Sequence, residues 1–257
     1  SGLDLYAKDA AGRWRWVSVG RPTAQTNTQK MADGVAPGRR EWLLYLPLYN
    51  GVTSVEIGVP AGKTIEKAPA YPQTHAKPIV FYGTSITHGA CATRPGMVHT
   101  AILSRKSGRP IINLGFSGNG RMEPEVTALL AELDASVYVI DCCPNLSGPE
   151  TAERTKPLVQ QLRQTRPNVP IVLVEDRVYT DAWLITSKKA RNDGNHAALK
   201  KSFDELIAAG TKDLYYIPGS DLLGDDNEGA VDSSHPNDLG FVRQADAFDK
   251  VLGKLMR

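Results

Sequence analysis

The sequence is poor in cysteine, has no long apolar run and carries little net charge. Its three cysteines, Cys91, Cys142 and Cys143, are too few for a disulfide framework, and their spacing fits no zinc site. No apolar stretch approaches the roughly 20 residues that span a bilayer, and no signal-peptide pattern is present. The formal net charge of +2, without a long basic or acidic run, argues against a nucleic-acid or anionic-membrane partner.

The chain is nevertheless long enough to bury a sizeable core, since 41% of its 257 residues are hydrophobic. This length suits one large domain, or one domain with a smaller module. The pattern of the sequence changes near residue 78, which favours the second arrangement. We predict a β-rich module over residues 1–65, a linker over residues 66–78 and an α/β domain over residues 79–257.

The first 65 residues have the alternation and the turn signals of β structure, with no convincing helix. Asn50-Gly51 is typical of a hairpin turn, because it supplies the two positive φ angles of a type I′ turn. The module is expected to form part of an antiparallel sheet or sandwich, and it is small for a complete one. Its predicted strands are 14–19, 41–46 and 52–59. The prolines of residues 66–78 indicate a linker.

From residue 79 onwards, short apolar runs alternate with amphipathic stretches. Helices are predicted from Pro124 over the apolar positions 126–133, over the stripe 199–207 ending near Gly210, and over 238–255. Strands that alternate with helices predict a doubly wound parallel sheet, covered on both faces and flavodoxin-like in class. Its five predicted strands are 79–82, 111–114, 137–141, 171–175 and 214–217.

A serine stands directly after the first of these strands, within the stretch 79–89. The chain must turn at Gly83-Thr84-Ser85, and the crevice outside the carboxyl ends of parallel strands is where such sheets bind ligands. Ser85 is therefore a candidate nucleophile. The alternative is a helix N-cap, which is equally common at such a position. Thr87 stands where the Gly-x-Ser-x-Gly elbow has its second glycine, so that elbow is absent.

Two further polar turns follow the next two strands. The glycine-rich stretch 113–120 lets backbone N–H groups approach a ligand closely, although many βα loops contain such glycines. Asn145 follows the third strand and could donate its amide N–H to an oxyanion, whereas a turn-forming Pro-Asn is the simpler interpretation.

Asp232 and His235 lie in the loop before the last helix, three residues apart. At this spacing the carboxylate can orient the imidazole, so that the other ring nitrogen accepts a proton from a serine. A helix-capping loop with an exposed histidine is the alternative. His75 and His196 fit the role of base less well because they lie in the linker and on a helix. His88 and His99 have no carboxylate placed beside them in sequence.

The order of these motifs resembles the SGNH hydrolases, also called GDSL-type esterases. Four blocks carry the resemblance across residues 78–257: Gly83 to Thr87, Asn113 to Gly118, Pro144-Asn145, and Asp232 with His235. The opening Ser1 to Tyr6 resembles the Gly-x-Asp-Leu-Tyr motif of a β-sandwich module that precedes some of these esterases. That motif is internal to the module, so the chain is expected to lack the module's first strands.

The resemblance implies a role for each matching residue. Ser85 would be the nucleophile, His235 the base and Asp232 its orienting acid. The backbone N–H groups of Ser85 and Gly118 and the side chain of Asn145 would form the oxyanion hole. No cofactor or metal is implied. Two departures from the family pattern mark a divergent subgroup. Thr84 stands where the family usually has Asp. Asn145 ends the sequence Asp-Cys-Cys-Pro-Asn, whereas the family has Gly-x-Asn-Asp.

The expected function is a serine esterase acting on small acyl groups, with O-acetyl on a carbohydrate implied by the resemblance. A small-molecule or glycan ester is thus the expected partner, and a carbohydrate substrate favours a secreted or periplasmic location. A lipase, thioesterase or arylesterase is the second hypothesis. It needs an apolar groove, which residues 179–195 could supply unless they pack as an ordinary insert. A non-catalytic glycan-binding protein is the third hypothesis. Arg94 and Asp176 are candidate pocket residues; a turn before a helix and a turn cap are their alternatives.

Overall fold

The computed structural model describes residues 2–256 and contains an antiparallel and a parallel sheet. Ser1, which opens the predicted N-terminal motif, and Arg257, which ends the predicted α/β domain, lie outside this range. The antiparallel sheet has the strand order β2-β1-β3. Its strands are β1 (Leu3–Lys8), β2 (Trp14–Gly20) and β3 (Trp42–Tyr45). The prediction of a small antiparallel sheet ahead of the α/β part is confirmed, whereas the bounds of the module, residues 1–65, stay a prediction.

The predicted strand 52–59 and the Asn50-Gly51 hairpin are wrong. Both segments are extended or bent but are not paired with any strand of residues 2–256. Alternating apolar residues such as Val55 and Ile57 are exposed instead of buried. A β-strand requires a neighbour to accept and donate its backbone hydrogen bonds, and the three-stranded sheet already ends at β3 on this side.

All five predicted strands of the α/β part are present and form one parallel sheet in the order β5-β4-β6-β7-β8. They are β4 (Ile79–Gly83), β5 (Ile111–Gly115), β6 (Val137–Asp141), β7 (Ile171–Val174) and β8 (Leu214–Ile217). This is the doubly wound, flavodoxin-like order, so the predicted fold class is confirmed.

The register places the carboxyl ends of the three strands nearest the candidate serine side by side. Gly83, the last residue of β4, pairs with Gly115 of β5 and with Asp141 of β6. The chain leaves β4 to form β5 on one side and later returns to form β6 on the other side. The strand order therefore reverses at β4, and ligands of such sheets bind in the crevice at this switch point.

Helices cover both faces of the parallel sheet. The side chains of β4 alternate: Val80 and Tyr82 pack under α3, α4 and α5, whereas Phe81 packs with Phe248 under α2 and α6. The helices are α1 (Ser85–His88), α2 (His99–Ser107), α3 (Pro124–Glu132), α4 (Gly148–Thr165), α5 (Thr186–Ala208) and α6 (Asp238–Leu255). Short 3₁₀ helices occupy 73–75, 95–97, 143–145 and 219–221.

Asp4 joins the small sheet to the α/β part. Its side chain is fully buried, and its Oδ2 accepts from the Arg94 guanidinium at 2.9 Å and from the Gly96 N–H at 2.8 Å. Its Oδ1 accepts from Trp16 Nε1 at 2.8 Å. A Cβ on Gly96 would lie 2.5 Å from the Tyr6 ring, so the close approach requires a glycine. The central strand of the module is thereby fixed against the segment that precedes α2.

Candidate active site

The turn after β4 presents Ser85 at the start of α1. Thr84 is the N-cap of this helix, and its Oγ1 accepts from the Ile86 N–H at 3.3 Å. The alternative in which Ser85 caps the helix is therefore wrong. A Cβ on Gly83 would lie 2.1 Å from Thr87 Oγ1, so only glycine lets the helix fold back against the end of its strand.

His235 connects Ser85 to Asp232. Ser85 Oγ lies 2.9 Å from His235 Nε2, and His235 Nδ1 lies 2.7 Å from Asp232 Oδ2. Asp232 Oδ1 accepts from the backbone N–H groups of His235 at 2.7 Å and Ser234 at 3.1 Å. Burial alone would raise the pKa of Asp232, but these hydrogen bonds outweigh burial and lower the pKa. An ionised Asp232 holds the ring proton on Nδ1, which leaves Nε2 free to accept a proton.

The loop that carries His235 is fixed from both sides. Ala230 and Pro236 form a β-bridge, and the Val231 N–H donates to the His235 carbonyl at 2.9 Å. Ser233 has a φ of 72° at the tip of this loop. The loop after β7 and the start of α5 hold the tip. Thr180 N–H donates to the Ser233 carbonyl at 2.9 Å, and Lys188 Nζ donates to the Ser233 hydroxyl at 2.7 Å.

The loops after β5 and β6 meet beside the turn that carries Ser85. Gly120 has a φ of 70°, and a Cβ on it would lie 2.1 Å from the Gly83 carbonyl oxygen. Gly118 has a φ of 73°, and within residues 2–256 its N–H has no hydrogen-bond acceptor. Asn145 ends a 3₁₀ helix, and its amide nitrogen donates to the Asn119 carbonyl. An amide nitrogen carries two protons, so this contact leaves one for a further acceptor.

A buried ion pair below Ser85 was not predicted from the sequence. Asp141 accepts from the Thr87 hydroxyl at 3.0 Å and from both terminal nitrogens of Arg177, at 3.1 and 2.7 Å. Asp141 and Arg177 are both almost completely buried. A positional signal was available, since Asp141 ends β6 and Arg177 follows β7, at the same edge of the sheet.

The structure places the two candidate pocket residues, Arg94 and Asp176, in internal contacts. Arg94 binds Asp4 and lies over the Trp16 ring at 5.1 Å, within the contact between the small sheet and the segment that precedes α2. Asp176 is 1% exposed and pairs with Arg191. Burial raises the pKa of Asp176, although the nearby arginine charges oppose this shift.

Three of the other histidines and the two adjacent cysteines take no part in this arrangement. His88 and His196 each bond to a backbone carbonyl, and His99 is enclosed by aromatic rings. Cys142 and Cys143 are free, buried thiols, and burial raises the pKa of each well above its usual value. Neither thiol is therefore a ready nucleophile.

A cleft of about 700 Å³ opens beside Asn145. It is lined by Leu146 and Pro149 and by the side chains of Arg121 and Arg191. Within residues 2–256, no group of three or more His, Cys, Asp or Glu side chains is arranged to hold a metal ion. None of the helices in the described part of the chain is long and apolar enough to cross a membrane.

Comparisons with solved structures extend over nearly the whole chain. A crystal structure from Bacteroides ovatus ATCC 8483, described as a GDSL-like lipase, is 39% identical with a TM-score of 0.93, covering 99% of this chain and 74% of that one. The salicylyl-acyltransferase SsfX3 of a tetracycline biosynthetic pathway is 21% identical, with a TM-score of 0.74 and coverages of 98% and 73%. A family two carbohydrate esterase from Clostridium thermocellum, in complex with cellohexaose, is 16% identical, with a TM-score of 0.66 and coverages of 99% and 86%.

The last two similarities establish a shared fold. No protein with a curated function matches the chain. The sequence profile of the GDSL-like lipase/acylhydrolase family matches residues 76–253, and the profile for the N-terminus of SGNH-hydrolase-type esterases, GxDLY, matches residues 1–65. The chain belongs to the GDSL-like lipase/acylhydrolase family of SGNH-type esterases.

Proposed function

We propose that the protein is a serine esterase that hydrolyses small acyl esters, with O-acetyl groups on carbohydrates as the favoured substrates. One observation supports this most strongly: the continuous chain of hydrogen-bond contacts from Ser85 Oγ through His235 to Asp232, at the carboxyl edge of the sheet. Acyl transfer through serine requires a nucleophile, a base within hydrogen-bond reach and a third group that orients the base.

In the proposed reaction His235 moves protons while Ser85 forms and breaks bonds. His235 Nε2 takes the hydroxyl proton as Ser85 Oγ attacks the ester carbonyl carbon. The tetrahedral intermediate collapses when the carbon–oxygen bond to the alcohol breaks and His235 gives that alcohol its proton. Water then attacks the acyl-serine and loses a proton to His235. The second tetrahedral intermediate collapses when its bond to Ser85 Oγ breaks, His235 returns the proton to that oxygen, and the acid leaves. Asp232 stabilises the imidazolium formed in both halves.

We assign the oxyanion of each tetrahedral intermediate to three donors. They are the backbone N–H groups of Ser85 and Gly118 and the side-chain amide of Asn145. The N–H of Ser85, at the first position of a helix, has no partner within that helix. The free N–H of Gly118 and the remaining proton of Asn145 fit the same role. Each such donor contributes about 3 kcal/mol to transition-state stabilisation.

Two observations support a carbohydrate ester as substrate. Structures described as carbohydrate esterases share this fold, and the cleft beside Asn145 is large enough for a sugar unit. Acetate release should be measured across acetylated xylan, mannan, pectin and monosaccharides. Under this proposal at least one of these substrates releases acetate with the wild type and none does with Ser85→Ala; no release from any of them would contradict the carbohydrate part of the proposal.

Replacement of the nucleophile tests the chemistry separately from the substrate. Ser85→Ala should abolish hydrolysis of 4-nitrophenyl acetate while thermal unfolding stays unchanged. Ser54→Ala, at an exposed position of the N-terminal part, is the matched control and should hydrolyse as the wild type does. Retained activity in Ser85→Ala would remove the assignment of the nucleophile.

A preference for longer acyl chains is the second candidate, and one observation favours it. Trp183 and Leu184 are 75% and 63% exposed, so they do not pack inward as an ordinary insert would. They belong to the loop that holds Ser233, two residues from the proposed base. A series of 4-nitrophenyl esters from acetyl to octanoyl separates the candidates: a maximum at acetyl supports the first, and activity that rises to octanoyl supports the second.

A further inference from the structure

The short turn that carries Asn145 is held by a side chain from another element. Arg191 lies on α5, and its Nη2 donates to the Pro144 carbonyl at 2.8 Å and to the Leu146 carbonyl at 3.3 Å. These are the carbonyls on either side of Asn145. Arg191 therefore fixes the backbone immediately before and after the proposed oxyanion donor.

Asn195, one helical turn further along α5, holds the same segment. Its side-chain nitrogen lies 3.0 Å from the Leu146 carbonyl oxygen and 3.3 Å from that of Cys143. The backbones also touch closely, because a Cβ on Gly148 would lie 2.9 Å from the Gly194 carbonyl oxygen. The position of the 3₁₀ turn is therefore set by its contacts with α5.

Arg191 is itself held in one orientation. Its Nη1 binds the carboxylate of Asp176, which is 1% exposed, and its guanidinium lies 5.4 Å from the centre of the Tyr179 ring. A planar guanidinium can serve a carboxylate and two carbonyls at once because its donors are fixed in a fork. An ammonium group is a single point and cannot span the same acceptors.

We propose that Arg191 is a positioning residue, which holds the 143–146 turn so that the amide of Asn145 is aimed at the developing oxyanion. This inference rests on the proposed function. Arg191 also lines the cleft beside Asn145, but the role proposed here does not depend on a contact with substrate in that cleft. Because Arg191 holds the turn, the Asn145 donor is already in place when the oxyanion forms. Such preorganised donors are what make an oxyanion hole effective.

Arg191→Lys tests this role because it keeps the charge and the stem but loses the fork. We expect kcat for 4-nitrophenyl acetate to fall by roughly 10- to 100-fold with KM nearly unchanged, since a small misplacement of one donor costs up to about 100-fold. Arg163→Lys is the matched control. Arg163 donates to the carbonyls of Arg166, Val169, Lys212 and Asp213, at the opposite edge of the sheet. It should affect stability but leave kcat unchanged.

A double-mutant cycle separates positioning from a general structural effect. In an Asn145→Ala background, Arg191→Lys should change kcat less than about twofold, because the group that it positions is gone. An equal loss in both backgrounds would overturn the proposal, as would a wild-type kcat in Arg191→Lys. If Arg191→Lys does not fold, Arg191→Gln, which keeps one donor for these carbonyls, is tested against the same two outcomes.

Hydrogen–deuterium exchange measures whether the 143–146 turn is intact without relying on catalysis. The backbone N–H groups of Asn145 and Leu146 donate to the carbonyls of Cys142 and Cys143, at 3.1 and 3.0 Å respectively. These backbone protons are therefore protected from exchange while the turn is intact. Their exchange should accelerate in Arg191→Lys and not in Arg163→Lys, whether or not the wild type hydrolyses esters. Unchanged exchange in Arg191→Lys would contradict the proposal. If the proposed function is wrong, the wild type will not hydrolyse esters, or Ser85→Ala will still hydrolyse them.

Discussion

His99 lies between the parallel sheet and α6, and we predict that its buried ring makes the fold sensitive to acid. Its ring stacks near those of Phe241 and Phe248, with centroids 5.8 and 5.3 Å away, and meets Phe81 edge-on at 5.6 Å. Neither ring nitrogen has a partner within the described residues. Complete burial, reinforced by the charge of Arg177, holds the pKa of His99 well below its usual value. The folded protein therefore contains a neutral His99.

The magnitude follows from proton linkage. In the unfolded chain a histidine has a pKa of about 6.5, so below that pH the unfolded state binds a proton that the folded state does not. The contribution to stability is complete above the unfolded pKa, and it is lost as the pH falls towards the lower folded pKa. The loss approaches about 1.4 kcal/mol for each pH unit, or about 2 kcal/mol between pH 7.5 and pH 5 while the buried ring stays neutral.

Urea unfolding at pH 7.5 and at pH 5 measures this loss. His99→Phe keeps an aromatic ring in the cluster but cannot bind a proton, so its free energy of unfolding should fall by about 2 kcal/mol less than that of the wild type over this interval. Any packing cost of the larger ring is present at both pH values and cancels in the difference. His75→Phe, at a partly exposed position of the 3₁₀ helix 73–75, is the control and should behave as the wild type. An equal fall in the wild type and in His99→Phe would refute the argument.

Three further predictions concern the site and the contact between the small sheet and the segment that precedes α2. Asn145→Ala should lower kcat for aryl acetate by roughly 100- to 1,000-fold, the range for loss of one oxyanion donor; a decrease of less than about threefold would remove Asn145 from the oxyanion hole. Asp232→Asn should lower kcat by about 10,000-fold because the amide favours the wrong tautomer of the base; steady-state kinetics on esters decides this. Gly96→Ala should lower the free energy of unfolding by about 1–3 kcal/mol, because its Cβ would meet Tyr6 and Asp4, whereas Gly58→Ala, with no atom within 4 Å, should not. Urea unfolding of both variants checks this, and equal stabilities would contradict it.

The parallel sheet could be predicted because each of its strands is a short apolar run closed by a turn. The antiparallel part could be predicted less well. The pattern over residues 52–59 is that of a strand, but pairing depends on a neighbour that local sequence does not reveal. Helix α4 was missed because Pro157 lies inside it. Ser147 and Glu150 form a capping box at its start, which is a signal that the sequence does contain.

The residues of the candidate site could be predicted to lie close together because they follow strands whose carboxyl ends share one edge. Ser85 and His235 are 150 residues apart and lie within hydrogen-bond distance in the structure. The residues that support the site could not be predicted in the same way. Arg191 contacts a turn 45 residues earlier, and this contact depends on how α5 packs beside α4. The contact of Arg94 with Asp4 could not be predicted for the same reason, since it depends on the docking of the small sheet.

A fluorophosphonate probe tests the central claim most directly, because it labels a serine activated by a neighbouring base far faster than an ordinary hydroxyl. One equivalent should attach to Ser85, located by mass spectrometry of the digested protein, and the labelling rate should collapse in His235→Ala. An aryl acetate should slow the labelling by competition. Absence of labelling in the folded wild type, or labelling of another residue, would contradict the account and favour a glycan-binding protein built on an esterase fold.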